Sequence, residues 1–115
     1  MSPHMHVRGK AFEYIATFPD GRTETLLRVP QYDFNWQHTY KPVNPVDLPK
    51  GTVLKVVGWF DNSANNPYNP DPKAEVFWGD QTWEEMLLGF IDFAIPVSIN
   101  PTRIAGDQPI SGLKR

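Results

Sequence analysis

Proline sets the first limit on what this chain can fold into. Twelve of its 115 residues are proline, roughly double ordinary usage. Spread along the length, they break any long helix and favour short strands joined by many turns. Four Trp, four Tyr and seven Phe in a chain that is 40% hydrophobic supply enough bulky apolar material for a packed core, and the length suits one domain with little room for a second. The expectation is a single all-β domain over residues 1–115, with its core in 4–94 and an irregular tail over 95–115. Eleven Lys and Arg against thirteen Asp and Glu leave a net charge of −2, which argues against a basic nucleic-acid surface or a polybasic membrane anchor. No apolar run approaches the roughly 20 residues that cross a bilayer. Met1-Ser2-Pro3-His4 lacks the shape of a signal peptide, and the abrupt start in a motif is that of a segment cut from a larger protein. The chain has no cysteine, which excludes disulfides, thiolate metal sites and a Cys nucleophile.

The first readable unit is a hairpin. From Lys10 to Phe18 the residues Phe12, Tyr14, Ala16 and Phe18 alternate with Glu13, Ile15 and Thr17, a strand period. Pro19-Asp20-Gly21-Arg22 is turn chemistry, with Pro fixing φ and Gly accepting a positive one. Thr23 to Val29 reads as the returning strand. Tyr32 to Tyr40, aromatic and polar by turns, reads as extended, and Lys41 to Lys50, with Pro42, Pro45 and Pro49, as a loop or edge strand. Thr52 to Phe60 is the clearest strand. Leu54, Val56, Gly58 and Phe60 point one way and Val53, Lys55, Val57 and Trp59 the other, so two largely apolar faces predict an interior position. Asp61 to Pro72 reads as a polar loop of Asx turns; its Asp and Asn oxygens lack the regular spacing of a calcium loop. Thr82 to Phe93 fits two patterns. Thr82 with Glu85 resembles a helix capping box, and Trp83, Met86, Leu87, Phe90 and Ile91 fit a helical stripe, yet the segment also alternates as a strand would, and aromatic content with Gly89 favours the strand. Trp59, Phe60, Val56, Leu54, Leu87 and Ile91 are expected in the core.

Two of the three histidines stand together in His4-Met5-His6. On a strand, residues i and i+2 face the same side, so both imidazoles can reach one metal ion; the plain alternative is a frayed, tag-like terminus. An amino-terminal copper chelate is excluded, because it needs a deprotonated amide where Pro3 has none. His38, in Trp36-Gln37-His38-Thr39-Tyr40, is a candidate third ligand or an ordinary surface residue. Met5 points away from the face that His4 and His6 share, and Met86 reads as core filler. Glu84 and Glu85 would face opposite ways on a strand, which makes them poor partners for acid–base work.

These residues, taken with others, resemble a family. His4-Met5-His6-Val7-Arg8-Gly9-Lys10 is similar to the His-x-His…Gly-Lys start of the C-terminal domain of copper type II, ascorbate-dependent monooxygenases, the family of peptidylglycine α-hydroxylating monooxygenase and dopamine β-monooxygenase. The likeness continues through the Asp20-Gly21 hairpin into Leu26-Leu27-Arg28. It resumes at Tyr40-Lys41-Pro42-Val43-Asn44-Pro45-Val46-Asp47 and again at Lys50-Gly51 and the strand ending in Phe60. It finishes in Glu84-Glu85-Met86, so that it spans about His4 to Ala94 with the motifs in the family's order. The resemblance implies an antiparallel β-sandwich of jelly-roll type and a strand at Met86. It also implies one copper ion per chain held by His4, His6 and Met86, with ascorbate as reductant and a periplasmic or secreted location. Two imidazoles and a soft thioether suit Cu(I), whereas hard cations prefer oxygen donors.

The departures from the family bear on activity. Family enzymes carry a preceding domain with a second, three-His copper, and nothing here resembles it. The peptide-hydroxylating members bind the substrate carboxylate through an Arg two positions before the first His and through polar residues two and four after the Met; here these positions are Ser2, Leu88 and Phe90. The expected function is therefore the O₂- and substrate-facing copper domain of such a monooxygenase, requiring a second copper domain or a longer parent chain for hydroxylation, with its small-molecule substrate undefined. The alternative is a non-catalytic copper-binding or interaction β-sandwich.

Overall fold

The computed structural model describes residues 1–96 and Ser98. Its described residues form five strands and no helix: β1 (Ser2–Met5), β2 (Gly9–Thr17), β3 (Thr23–Val29), β4 (Val53–Phe60) and β5 (Leu87–Phe90). All strand pairs are antiparallel, in a three-stranded sheet ordered β3-β2-β4 and a two-stranded sheet β1-β5. The expected hairpin is present, with β2 and β3 flanking a turn in which Gly21 takes φ +85. A Glu13–Arg28 ion pair of 2.6 Å ties the two strands at a register pair.

The larger sheet has one buried face. Phe12, Tyr14 and Ala16 of β2 are fully buried, and in register with them stand Gly58, Val56 and Leu54 of β4. Against this face lies the small sheet, whose Met5 is completely buried. Two glycines allow the close approach. A Cβ on Gly58 would stand 2.9 Å from the Met5 sulfur, and one on Gly89 would stand 2.3 Å from a Val56 methyl carbon. Either contact would force the sheets apart.

Two tyrosines fasten the small sheet to the large one. Tyr14 on β2 donates its phenol proton to the Phe90 carbonyl of β5 (3.1 Å). Tyr32, buried after β3, grips the main chain of β1. Its hydroxyl accepts from the Met5 amide (2.9 Å) and donates to the Met5 carbonyl (2.8 Å). Met5 thereby has both backbone groups satisfied at an edge that no strand covers.

Several expectations are corrected. β4 is an edge strand of its sheet, and β2 is central. Two apolar faces signal an interior strand only when both are covered; here Trp59 is 45% and Val53 61% exposed, so Trp59 is not core. Val56, Phe60, Leu87 and Ile91 pack on the core as partly buried side chains, and Leu54 is likewise half-buried. Tyr32–Tyr40 holds no strand. It opens with a turn, Trp36 N–H to the Asp33 carbonyl (3.0 Å), capped by the Asp33 carboxylate on the Asn35 amide (2.8 Å). The ambiguous segment resolves as a strand, limited to Leu87–Phe90, and Thr82–Glu85 is irregular. The Asp61–Pro72 loop is a run of Asx turns, with the side chains of Asp61, Asn66 and Asn69 each capping the amide two residues on. Apart from residues 95, 96 and 98, the tail lies outside the described residues.

Burial pushes the Tyr14 phenol up to about 12 from the ordinary 10.0, against an opposing hydrogen bond from the Ser2 backbone. Burial raises Tyr32 as well, opposed by its bond with the Met5 backbone and reinforced by Asp33 and Tyr40. Both phenols hold their protons more tightly folded than unfolded. The stability they contribute is complete below the unfolded value of 10.0 and is lost as pH rises through the folded value, about 12 for Tyr14. A urea-unfolding series across this range is expected to show that decline, and Tyr14→Phe to flatten it. Tyr32→Phe orphans one buried donor and one buried acceptor, and is expected to lower stability at neutral pH by about 2–4 kcal/mol.

Candidate metal centre

Met5 is pinned inward as the last residue of β1, His4 precedes it on the strand, and His6 follows directly after the strand's end. Their rings lie 5.3 Å apart between centroids, edge to face at 88°. His6 is buried at 4% exposure and flanked by Phe34, while His4 is half-buried. In the β1–β5 register His4 faces Leu88 and Ser2 faces Phe90. Met86 stands immediately before β5, one step beyond the Met5–Leu87 pair, and is 9% exposed. The paired register ends at Met5–Leu87, so His6 and Met86 lie just outside the ladder, one past the end of β1 and the other before the start of β5.

Each histidine has one ring nitrogen occupied. His4 Nδ1 lies 2.7 Å from Gln37 Oε1, and His6 Nδ1 lies 3.0 Å from the Glu84 carbonyl oxygen. The Gln37 amide orientation follows from its other bond, in which Nε2 donates to the Phe34 carbonyl (2.8 Å). Both partners of the histidines are therefore oxygen acceptors, so both Nδ1 atoms carry the proton. In the neutral imidazoles, Nε2 of each ring is left with the free lone pair. This arrangement fixes tautomer and ring orientation as outer partners do around metal-bound histidines.

Among the described residues, no three His, Cys, Asp or Glu side chains cluster to hold a metal ion. A third protein donor at the histidine pair would therefore be of another kind. His38 is not drawn into the pair. Gln37 and Thr39 turn toward β1, on His4 and Ser2, while Trp36, His38 and Tyr40 stack in sequence, with centroids 4.7 and 6.5 Å apart.

The segment before Met86 is held from several sides. The Val7 amide donates to the Thr82 carbonyl (3.4 Å), the Glu85 amide to the Phe77 carbonyl (2.9 Å), and the Gly79 amide to the Glu85 carbonyl (3.1 Å). The Glu84 carboxylate accepts from the Gln81 amide (2.9 Å) and the Glu85 carboxylate from the Asn62 side-chain amide (2.7 Å), so the two have separate partners. The sequence pattern drew attention to His38 and passed over its neighbour Gln37, although the alternation of Trp36-Gln37-His38-Thr39 already put the two on opposite sides. The Glu84 carbonyl left no signal at all, since any residue supplies one.

No family model, curated protein or solved structure matches this chain.

The geometry predicts a tautomer. In the metal-free chain, ¹⁵N NMR is expected to show that the neutral imidazoles of both His4 and His6 carry their proton on Nδ1. Gln37→Leu should release that bias at His4 and leave it at His6, whose partner is a backbone carbonyl.

Proposed function

We propose that this chain is a copper-binding domain of the copper type II, ascorbate-dependent monooxygenase kind, a β-sandwich of jelly-roll type in which His4, His6 and Met86 hold one copper ion. The observation that carries the reading is the pair of Nδ1–H bonds, to Gln37 and to the Glu84 carbonyl, which leaves both Nε2 atoms as donors. Two imidazoles and a thioether form a soft, low-charge set that favours Cu(I) over hard divalent cations. Copper held there supplies one-electron redox chemistry toward dioxygen.

The chain's own residues define what else the site offers. Gln37 and Glu84 orient the imidazoles, Phe34 shields the His6 ring, and among the described residues no carboxylate joins the two histidines in a metal-holding cluster. Leu88, 38% exposed, and Phe90, 56% exposed, give the same side of the small sheet an apolar surface. With Ser2 between them and the terminus, these positions provide no side-chain cation for a substrate carboxylate. Hydroxylation of a C–H bond by O₂ consumes two electrons beyond those of that bond, and one Cu(I) delivers one. A second copper domain, a parent chain or a reductant such as ascorbate must therefore complete the reaction. The lack of a substrate anchor at Ser2, Leu88 and Phe90 favours a second reading, a copper-binding β-sandwich without turnover.

Anaerobic titration is expected to show one Cu(I) per chain, abolished in the His4→Ala, His6→Ala double variant. Met86→Leu should weaken Cu(I) far more than Cu(II), since the thioether is the soft donor. With ascorbate, O₂ and panels of glycine-terminated peptides and phenethylamines, the isolated chain is expected to give no copper-dependent hydroxylated product. Turnover at roughly 1 s⁻¹ or faster would show that the single domain carries the whole reaction.

A further inference from the structure

Arg8 is an unusual residue to bury. It is 2% exposed, and among the described residues no carboxylate forms an ion pair with it. A desolvated guanidinium is ordinarily matched by an acid. Here it meets two neutral acceptors in two different loops. Nε donates to Asn69 Oδ1 (2.8 Å), and Nη1 donates to the Trp83 carbonyl. Asn69 is itself fixed, its amide donating to the Asn62 and Ser63 carbonyls (2.8 and 3.2 Å). The Arg8 carbonyl takes the Asp61 amide (2.8 Å), closing the same loop from its other end.

The position of the clamp gives it a role. Trp83 directly precedes Glu84, whose carbonyl takes the His6 Nδ1 proton, and Met86 follows two residues later. Arg8 lies two residues after His6 on the other side of that contact. The guanidinium therefore fastens the segment bearing both the outer partner of one histidine and the thioether, and braces it against the Asn- and Pro-rich loop.

We infer that Arg8 is a positioning residue for the copper site, setting the Trp83–Met86 segment so that the Glu84 carbonyl orients His6 and Met86 is presented as a ligand. This rests on the copper reading above. The planar fork is essential, because two donors in fixed directions reach two acceptors at once, whereas a lysine ammonium keeps the charge without that geometry. The Asp61–Pro72 loop thereby acquires a function as the buttress of the clamp.

The test uses the full chain and four forms: wild type, Arg8→Lys, Met86→Leu and the double variant. Cu(I) affinity is measured by chelator competition. Arg8→Lys is expected to weaken Cu(I) binding by about tenfold, within the range seen for outer partners of metal ligands. Combined with Met86→Leu it should add less than that factor, since the part of its effect that runs through the thioether is already gone while the part that runs through His6 remains. In the metal-free chain, Arg8→Lys should remove the Nδ1–H bias of His6 by ¹⁵N NMR and leave that of His4, which Gln37 holds; a general loss of stability would not separate the two rings. Asn69→Ala, which removes one arm of the clamp, should weaken Cu(I) binding by at least about threefold, and it carries the comparison if Arg8→Lys fails to fold. Wild-type Cu(I) affinity in Arg8→Lys, an unchanged His6 tautomer, or fully multiplicative losses in the double variant would overturn the inference. If Arg8→Lys does not fold, unchanged affinity in Asn69→Ala overturns it. Cu(I) binding by the wild type that is indifferent to His4→Ala, His6→Ala would instead overturn the copper reading, and this one with it.

Discussion

The main chain of Met5, held at both its amide and its carbonyl by the single hydroxyl of Tyr32, is the contact on which the rest of this fold depends. β1 has only four residues and one strand partner, β5. A ribbon of two short strands is marginal in water, and this one lies in place because its inner residues are anchored. Met5 fills the core, Tyr32 occupies the backbone groups that face away from β5, and Tyr14 reaches across to the Phe90 carbonyl. With Met5 inward, His4 has only the other side to take, and His6 follows directly after the strand's end. A residue that looks like filler between two histidines thus decides where its strand neighbour goes.

From that anchor, the histidine side of the small sheet is built by contacts far apart in sequence. Gln37 reaches His4 from 33 residues away, and the Glu84 carbonyl reaches His6 from 78. Both acceptors leave the same nitrogen of each ring free. The antiparallel register ends at the Met5–Leu87 pair, and beyond it the Glu84 carbonyl, on the segment leading into β5, meets His6 just past the end of β1. Arg8 ties the same corner to the Asp61–Pro72 loop. Among the described residues no buried side-chain polar atom lacks a hydrogen-bond partner.

How much of this could be read in advance depended on the range of the cause. The β2–β3 hairpin was legible because its signals are local: alternation from Phe12 to Phe18, and a Pro-Asp-Gly turn. The inward Met5 was legible for the same reason, whereas the burial of His6, just past the end of β1, was not. The placement of β4 was not, since its two apolar faces say nothing about which neighbours arrive, and Trp59 remains half-exposed. The alternation of Tyr32–Tyr40 left open what it serves: Gln37 and Thr39 make side-chain contacts to His4 and Ser2 rather than joining a ladder. Arg8, inside the motif itself, gave no sign of burial, because the acceptors that make burial tolerable lie 61 and 75 residues further on.

The central claim is that two imidazoles and one thioether of this chain form a single copper site. X-ray absorption at the copper edge of the Cu(I)-loaded chain tests it most directly, because sulfur and nitrogen scatter differently in the first shell. The account predicts two imidazole nitrogens and one sulfur, with the sulfur contribution gone in Met86→Leu and the imidazole scattering kept. A first shell without sulfur while Met86 is in place, or a sulfur signal that survives Met86→Leu, would contradict it.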